Sequence, residues 1–127
     1  MERAYHTQME AARMGIVTPE LEIVAKKENR TTAELLPLVA SGKVVIPANP
    51  RHKGLSPSGV GSMLKTKINV NLGVSRDCKD YDVEMKKVLS AVEMGAEAIM
   101  DLSSHGNTQP FRRKLCSECP AMIGTVP

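Results

Sequence analysis

The spacing of hydrophobic positions changes along the chain, from short helical bursts in the first half to alternating strands and helices in the second. Thr7 to Met14 fits a short amphipathic helix, closed by Gly15 as its C-terminal cap. Thr18-Pro19 starts a second helix, with Thr as N-cap, Pro at the first helical position, and Leu21, Val24 and Ala25 as its apolar stripe. Thr31-Thr32-Ala33-Glu34 is a capping box, in which hydroxyl and carboxylate satisfy each other's orphan backbone donors. Pro37 keeps that third helix short or kinks it. Lys43 to Ile46 then reads as a strand ended by Pro47, and residues 47–63, PANPRHKGLSPSGVGSM, form a long loop. Loops of that length in compact domains are usually functional or mobile.

The second half is more regular. The spacing predicts a strand over 66–73, a helix over 81–94 with Met85, Val88, Leu89 and Val92 on one face, and a strand over Ala96 to Leu102. A helix near 108–118 and a strand over 121–126 follow. Single-helix connections between strands imply parallel pairing through right-handed crossovers. The class is therefore α/β, with a helical and loop region over 1–65 and a β-α-β-α-β unit over 66–127. Three parallel strands leave an open edge, and the expectation is a longer βα protein of which this is the N-terminal piece.

Within the first of these strands, KINVNLG (67–73) alternates Ile68, Val70 and Leu72 with Asn69 and Asn71. Strands disfavour asparagine, so two on one face need a reason. A buried amide without a partner costs about 1–3 kcal/mol. Two readings satisfy it: neighbouring protein groups or water hold the amides, or a ligand does. Sites in parallel α/β proteins lie at the carboxyl ends of strands, so toward that end a ligand could be the partner; the pattern leaves both readings open.

Composition narrows the function classes. The chain has 127 residues, 42% of them hydrophobic, enough for a packed core. Aromatic content is only 2%, which argues against a stacking platform for single-stranded nucleic acid. The net charge of +3 is scattered, and the run Arg112-Arg113-Lys114 reads as a solvated helix face, so nucleic acid is set aside as a partner. No apolar run reaches the roughly 18 residues a membrane helix needs, and MERAYHTQME is too polar for a signal peptide. No membrane partner is implied. With three cysteines, an odd number, the expected location is the cytoplasm.

Candidate chemistry outside the asparagines is thin. Cys116 and Cys119 form one Cys-x-x-Cys pair at a helix end, two ligands where closed metal sites use four. Among the histidines His6, His52 and His105, none has a ligand-like neighbour in sequence; His52 and His105 rank higher because they lie in polar loops. The eight methionines read as core filling, except Met100, which sits near a strand's carboxyl end beside Asp101 and suits contact with a planar ring.

Several blocks together carry a resemblance. They are Thr7-Gln8-Met9, then Ala12 to Glu20 (ARMGIVTPE), Ile46-Pro47-Ala48-Asn49 with His52, KINVNLG, Ile99-Met100-Asp101-Leu102-Ser103, and Ile123-Gly124-Thr125-Val126-Pro127. In that order and spacing the chain closely resembles the N-terminal portion of the phosphomethylpyrimidine synthases, the ThiC family of radical S-adenosylmethionine enzymes. The resemblance implies a (βα)8 barrel, incomplete here, in a homodimer that rearranges aminoimidazole ribotide to hydroxymethylpyrimidine phosphate for thiamine synthesis. It implies S-adenosylmethionine, a 4Fe-4S cluster on a Cys-x2-Cys-x4-Cys motif, and zinc on two histidines. Those ligands match no position of this chain: Cys116 and Cys119 lack the third cysteine, and His52 and His105 do not correspond to the metal ligands. What carries over is substrate contact by Asn71 and Met100, with Asn69 as support; the catalytic residues stay unassigned.

Two alternatives accompany this expectation. One is the related 5-hydroxybenzimidazole synthases, which use the same ribotide and are hinted at by the Asn49 to Gly54 form of the loop and by Thr66 to Asn71. The other is a module that acts by interaction without catalysis.

Overall fold

The computed structural model describes residues 4–126. Pro127, the last residue of the Ile123 to Pro127 block, lies outside them. The fold is mixed α/β and divides into two compact units. The first takes in the chain up to Ala48 together with Pro57–Thr66; the second comprises Asn49–Ser56 and the chain from Lys67 onward.

In the first unit, three short helices begin where their caps dictate. Helix α1 (Gln8–Arg13) follows Thr7, whose hydroxyl accepts from the Glu10 amide, and α2 (Pro19–Lys27) follows Thr18, whose hydroxyl accepts from the Leu21 amide. Helix α3 (Thr32–Ala40) carries the full capping box between Thr31 and Glu34. The backbone and side-chain hydrogen bonds from Thr31 hold the Glu34 carboxyl below its usual range. Pro37 sits inside α3 without ending it, and the helix stays short at nine residues. Leu21, Val24, Leu35, Val39 and Val44 form the core.

Strand β1 (Val44–Val45) pairs antiparallel with β2 (Val60–Gly61). The stretch read as a plain loop thus contains a strand, which no alternating pattern announced because it is two residues long and ends in glycine. Lys27 Nζ reaches Ser58 Oγ at 3.3 Å, and the Glu28 carboxylate accepts from the Lys65 amide at 2.8 Å, so both ends of this return segment are tied to α2.

The second unit is a β-α-β-α-β array. Strands β3 (Asn69–Leu72), β4 (Ala98–Asp101) and β5 (Met122–Thr125) are parallel in the order β3-β4-β5. They are joined by α4 (Tyr81–Glu93) and α5 (Gln109–Glu118). Asp80 caps α4, its carboxylate accepting from the Asp82 and Val83 amides. One sheet face packs on the helices: Leu72 and Ile99, with Val70 and Ile123 beside them, meet Met85, Val88, Ala91, Phe111 and Leu115. Tyr81 and Phe111 stack at the helix starts, ring centroids 5.2 Å apart.

Two details differ from the periodicity. The buried side of α4 is Glu84, Met85, Val88 and Ala91, while Leu89 is exposed. The stripe is rotated because a glutamate occupies a core position. Ile68, outside the paired strand, is also exposed, since β3 begins only at Asn69.

Residues 49–56 belong to the second unit through two bonds. The His52 ring Nε2 lies 2.6 Å from the Cys119 carbonyl oxygen, and the Ser56 amide donates to the Pro120 carbonyl at 2.9 Å. His52 is buried, so its ring nitrogen acts as donor to that carbonyl and has a structural task. Replacing His52 with Ala removes the inner of the two ties. Hydrogen exchange should then accelerate at the Ser56 amide by about tenfold, the effect of losing roughly 1–1.5 kcal/mol of local protection, while α4 amides keep their rates. Unchanged exchange at Ser56 would show that the pin is not His52.

Candidate functional site

The sheet of the second unit presents two unlike faces. Register puts Asn69 opposite Ala98 and Met122, and Asn71 opposite Met100 and Gly124, so both rows share the face turned away from α4 and α5. Asn71 is exposed and Met100 half-buried. The sequence-derived pair therefore sits side by side on adjacent strands, one residue before their carboxyl ends.

Asn69 and Asn71 are bonded to each other. The Asn69 Nδ2 donates to Asn71 Oδ1 at 2.8 Å. The Asn71 carbonyl thus accepts one bond while its amino group has no protein partner among the described residues, so Asn71 can offer a donor. A ligand with an acceptor atom, such as a ring nitrogen or a hydroxyl oxygen, suits that presentation. Both amides are exposed, so neither is the buried orphan that the strand pattern raised as a concern.

Beside this row, the loops after β3 and β4 are fastened by buried polar groups that the sequence reading did not single out. Asp101, fully buried at the end of β4, accepts from the Ser103 amide and hydroxyl at Oδ1 and from Arg112 Nε at 2.7 Å at Oδ2. Burial pushes the Asp101 carboxyl upward, but the bonds from Arg112 and Ser103 outweigh it and hold the group below its usual range. The Ser103 hydroxyl oxygen also accepts from the Val74 amide at 3.1 Å, linking the β4 loop to the β3 loop. Glu84, equally buried on α4, accepts from the Gly73 amide at 2.9 Å and from Lys87 Nζ at 2.6 Å. Gly73 itself has φ +144°, and a Cβ there would lie 2.5 Å from the Ser103 nitrogen. Only glycine fits that approach.

Arg112 departs from the solvated run that the sequence predicts: its guanidinium faces Asp101, while Arg113 and Lys114 are exposed. A signal was available. Asp101 ends an otherwise apolar strand and must find a counter-charge if buried, and Arg112 lies one crossover later.

The remaining candidates fall elsewhere. His105 is exposed, and its carbonyl accepts from the Tyr81 hydroxyl at 3.4 Å. Cys119 is buried and Cys116 half-buried, and burial pushes both thiols up, away from the thiolate that metal binding needs. No group of three or more His, Cys, Asp or Glu side chains among the described residues is placed to hold a metal ion. No helix among them is long and apolar enough to cross a membrane.

The Asp101 network yields a stability prediction. In Asp101→Asn any amide orientation sets an NH2 group against a donor, from Arg112 or from Ser103. The cost should be about 2–3 kcal/mol, less than for a fully enclosed pair because Arg112 keeps some contact with water. Since the folded-state carboxyl is depressed, its contribution is complete above the ordinary value of 3.8 and is lost as pH falls through the lower folded-state value. Urea unfolding across acid pH checks this: the variant should lose part of the acid dependence, and a parallel pair of curves would refute the assignment.

Comparison with known proteins gives a consistent picture. The Radical SAM ThiC family matches residues 7–127. A phosphomethylpyrimidine synthase of Clostridium novyi (strain NT) is 65% identical over 123 residues, 97% of this chain and 28% of the relative. The phosphomethylpyrimidine synthases of Clostridium botulinum strains Hall and 657 are 59% and 58% identical over the same share. The chain thus spans 28% of the length of these curated relatives.

Proposed function

The chain belongs to the radical SAM ThiC family, and from that membership we propose that it forms the N-terminal part of an enzyme converting aminoimidazole ribotide to hydroxymethylpyrimidine phosphate in thiamine biosynthesis. The observation that carries this reading is the match over 97% of the chain to phosphomethylpyrimidine synthases, at up to 65% identity in the relatives compared. The region from residue 66 is the start of a (βα)8 barrel in this proposal. Its support is a parallel sheet with helices on one face, a polar row on the other, and a groove of about 450 Å3 along the β3 edge, lined by Val70, Leu72, Val83, Ala91 and Met94 among others. A further strand and helix would fill such a groove.

The role of this segment is ligand positioning. Asn71 donates to an acceptor on the ribotide, Met100 supplies apolar and sulfur contact to the imidazole ring, and Asn69 fixes the Asn71 amide. The proposed enzyme is a homodimer using S-adenosylmethionine, a 4Fe-4S cluster and zinc, and it works in the cytoplasm. The residues present here do not fit the cluster or the zinc: the two neighbouring cysteines have raised thiols, and no three-ligand group occurs among the described residues. Their ligands would come from the rest of the longer protein. When bound, the cofactor and cluster together supply the radical that starts the rearrangement; nothing in this segment is asked to do so.

Anaerobic assay of the full-length protein with aminoimidazole ribotide tests the reading, with hydroxymethylpyrimidine phosphate as the expected product. A 5-hydroxybenzimidazole product would reassign the activity. For the site, Asn71→Ala should weaken ribotide binding about 5- to 10-fold, the worth of one neutral hydrogen bond of roughly 1–1.4 kcal/mol, without altering the unfolding midpoint. Calorimetric titration showing parental affinity would remove Asn71 from the site.

A further inference from the structure

We infer that Gly124 determines how a ligand ring seats on this face, by leaving the space in which the Met100 thioether lies. The inference rests on the proposed ligand contacts of Asn71 and Met100. Gly124 pairs directly with Met100 across β4 and β5, as Met100 does with Asn71 across β3 and β4. The three residues make one row across about 10 Å of sheet, two interstrand spacings. Side chains in such a row compete for the space above their neighbours.

Here the competition is resolved by an absence. A Cβ built on Gly124 would lie 2.8 Å from Met100 Cε and 2.9 Å from Met100 Sδ, closer than van der Waals contact allows. The thioether end is therefore folded over the Gly124 backbone, leaning away from Asn71. The Met100 sulfur thus lies on the β5 side of the row, and the Asn71 amide stands on its β3 side. Any side chain at Gly124 would drive the thioether off β5, into the region the ring is to occupy.

The backbone at Gly124 does not require glycine, since its φ lies outside the left-handed region, in contrast to Gly73 with φ +144°. The colliding atoms are also the far end of a flexible methionine, not main chain. Gly124→Ala can therefore fold by moving Met100, and its effect should appear in ligand binding, not in the stability of the sheet. Gly124 touches no ligand in this account; it positions Met100.

The experiment is a double-mutant cycle in the full-length protein, read by calorimetric titration with aminoimidazole ribotide without turnover, with ribose 5-phosphate as a ring-free probe. Gly124→Ala should weaken ribotide binding by about tenfold, leave ribose 5-phosphate unchanged, and add less than about twofold once Met100 is already Ala, the non-additivity of residues that act through contact. Parental ribotide affinity in Gly124→Ala would overturn the inference, as would a tenfold loss that persists in the Met100→Ala background or that appears equally with ribose 5-phosphate. If Met100→Ala and Asn71→Ala both bind like the parent, the ligand face itself is misassigned and the inference falls with it; that outcome is distinct from a Gly124 failure, in which Met100→Ala still weakens binding. Should Gly124→Ala fail to fold, the double variant decides: restored folding on removing the Met100 side chain supports the collision, and continued failure to fold refutes it.

Discussion

The second unit depends on a carboxylate placed where a carboxylate should not be. Asp101 is fully buried at the end of β4, and an ionised group there would cost several kcal/mol without compensation. Compensation comes from three donors on two elements: the amide and hydroxyl of Ser103 and the guanidinium of Arg112 on α5. Because each donor must arrive in hydrogen-bonding geometry, satisfying the charge also fixes the turn out of β4 and the start of α5. The Ser103 hydroxyl then passes the constraint to the next loop through the Val74 amide. Glu84 repeats the arrangement from α4, holding Gly73 at the end of β3. The carboxyl ends of β3 and β4, where Asn71 and Met100 stand, are thus immobilised from the helix side of the sheet.

That division of labour explains the pattern of the strands. Charge and apolar packing are both placed on the helix face, where they fasten the loops and build the core. The opposite face carries Asn69, Ala98 and the buried Met122 in one row, and Asn71, Met100 and Gly124 in the row nearer the carboxyl ends. One bond of 2.8 Å joins Asn69 to Asn71 and both amides are exposed, so the strand tolerates them while the Asn71 amino group stays available. A strand that had to bury both amides against protein would have lost that freedom.

Much of this organisation was legible in the residues. Gly15 closing the first helix, the caps at Thr18 and Thr31, and the alternation in each strand place the helices and the three parallel strands near their observed positions. The pattern also put Asn71 and Met100 near strand ends, and the register sets them side by side on adjacent strands. What escaped was long-range. Periodicity assigns charged residues to solvent, so the buried Glu84 goes unannounced, Arg112 reads as solvated, and the exposed Leu89 reads as part of the apolar face. The tie between His52 and Cys119 joins positions far apart in the chain, and nothing local to either residue encodes it. Strand β2 fell below the length at which alternation can be recognised at all.

Gly73 and Gly124 separate two reasons for glycine that look alike in a sequence. At Gly73 the positive φ and the 2.5 Å approach of the Ser103 nitrogen are main-chain facts, and no movement of a side chain relieves them. Its glycine belongs to the same constraint as Asp101, because the loop held by Ser103 is the one that passes so close. At Gly124 the backbone is permissive, and only the Met100 thioether fills the space. A fold indifferent to ligand would keep the first glycine and let the second vary with whatever residue stood at position 100. Gly73 is thus required by the main chain around it, whereas Gly124 is constrained only by the side chain that stands at position 100.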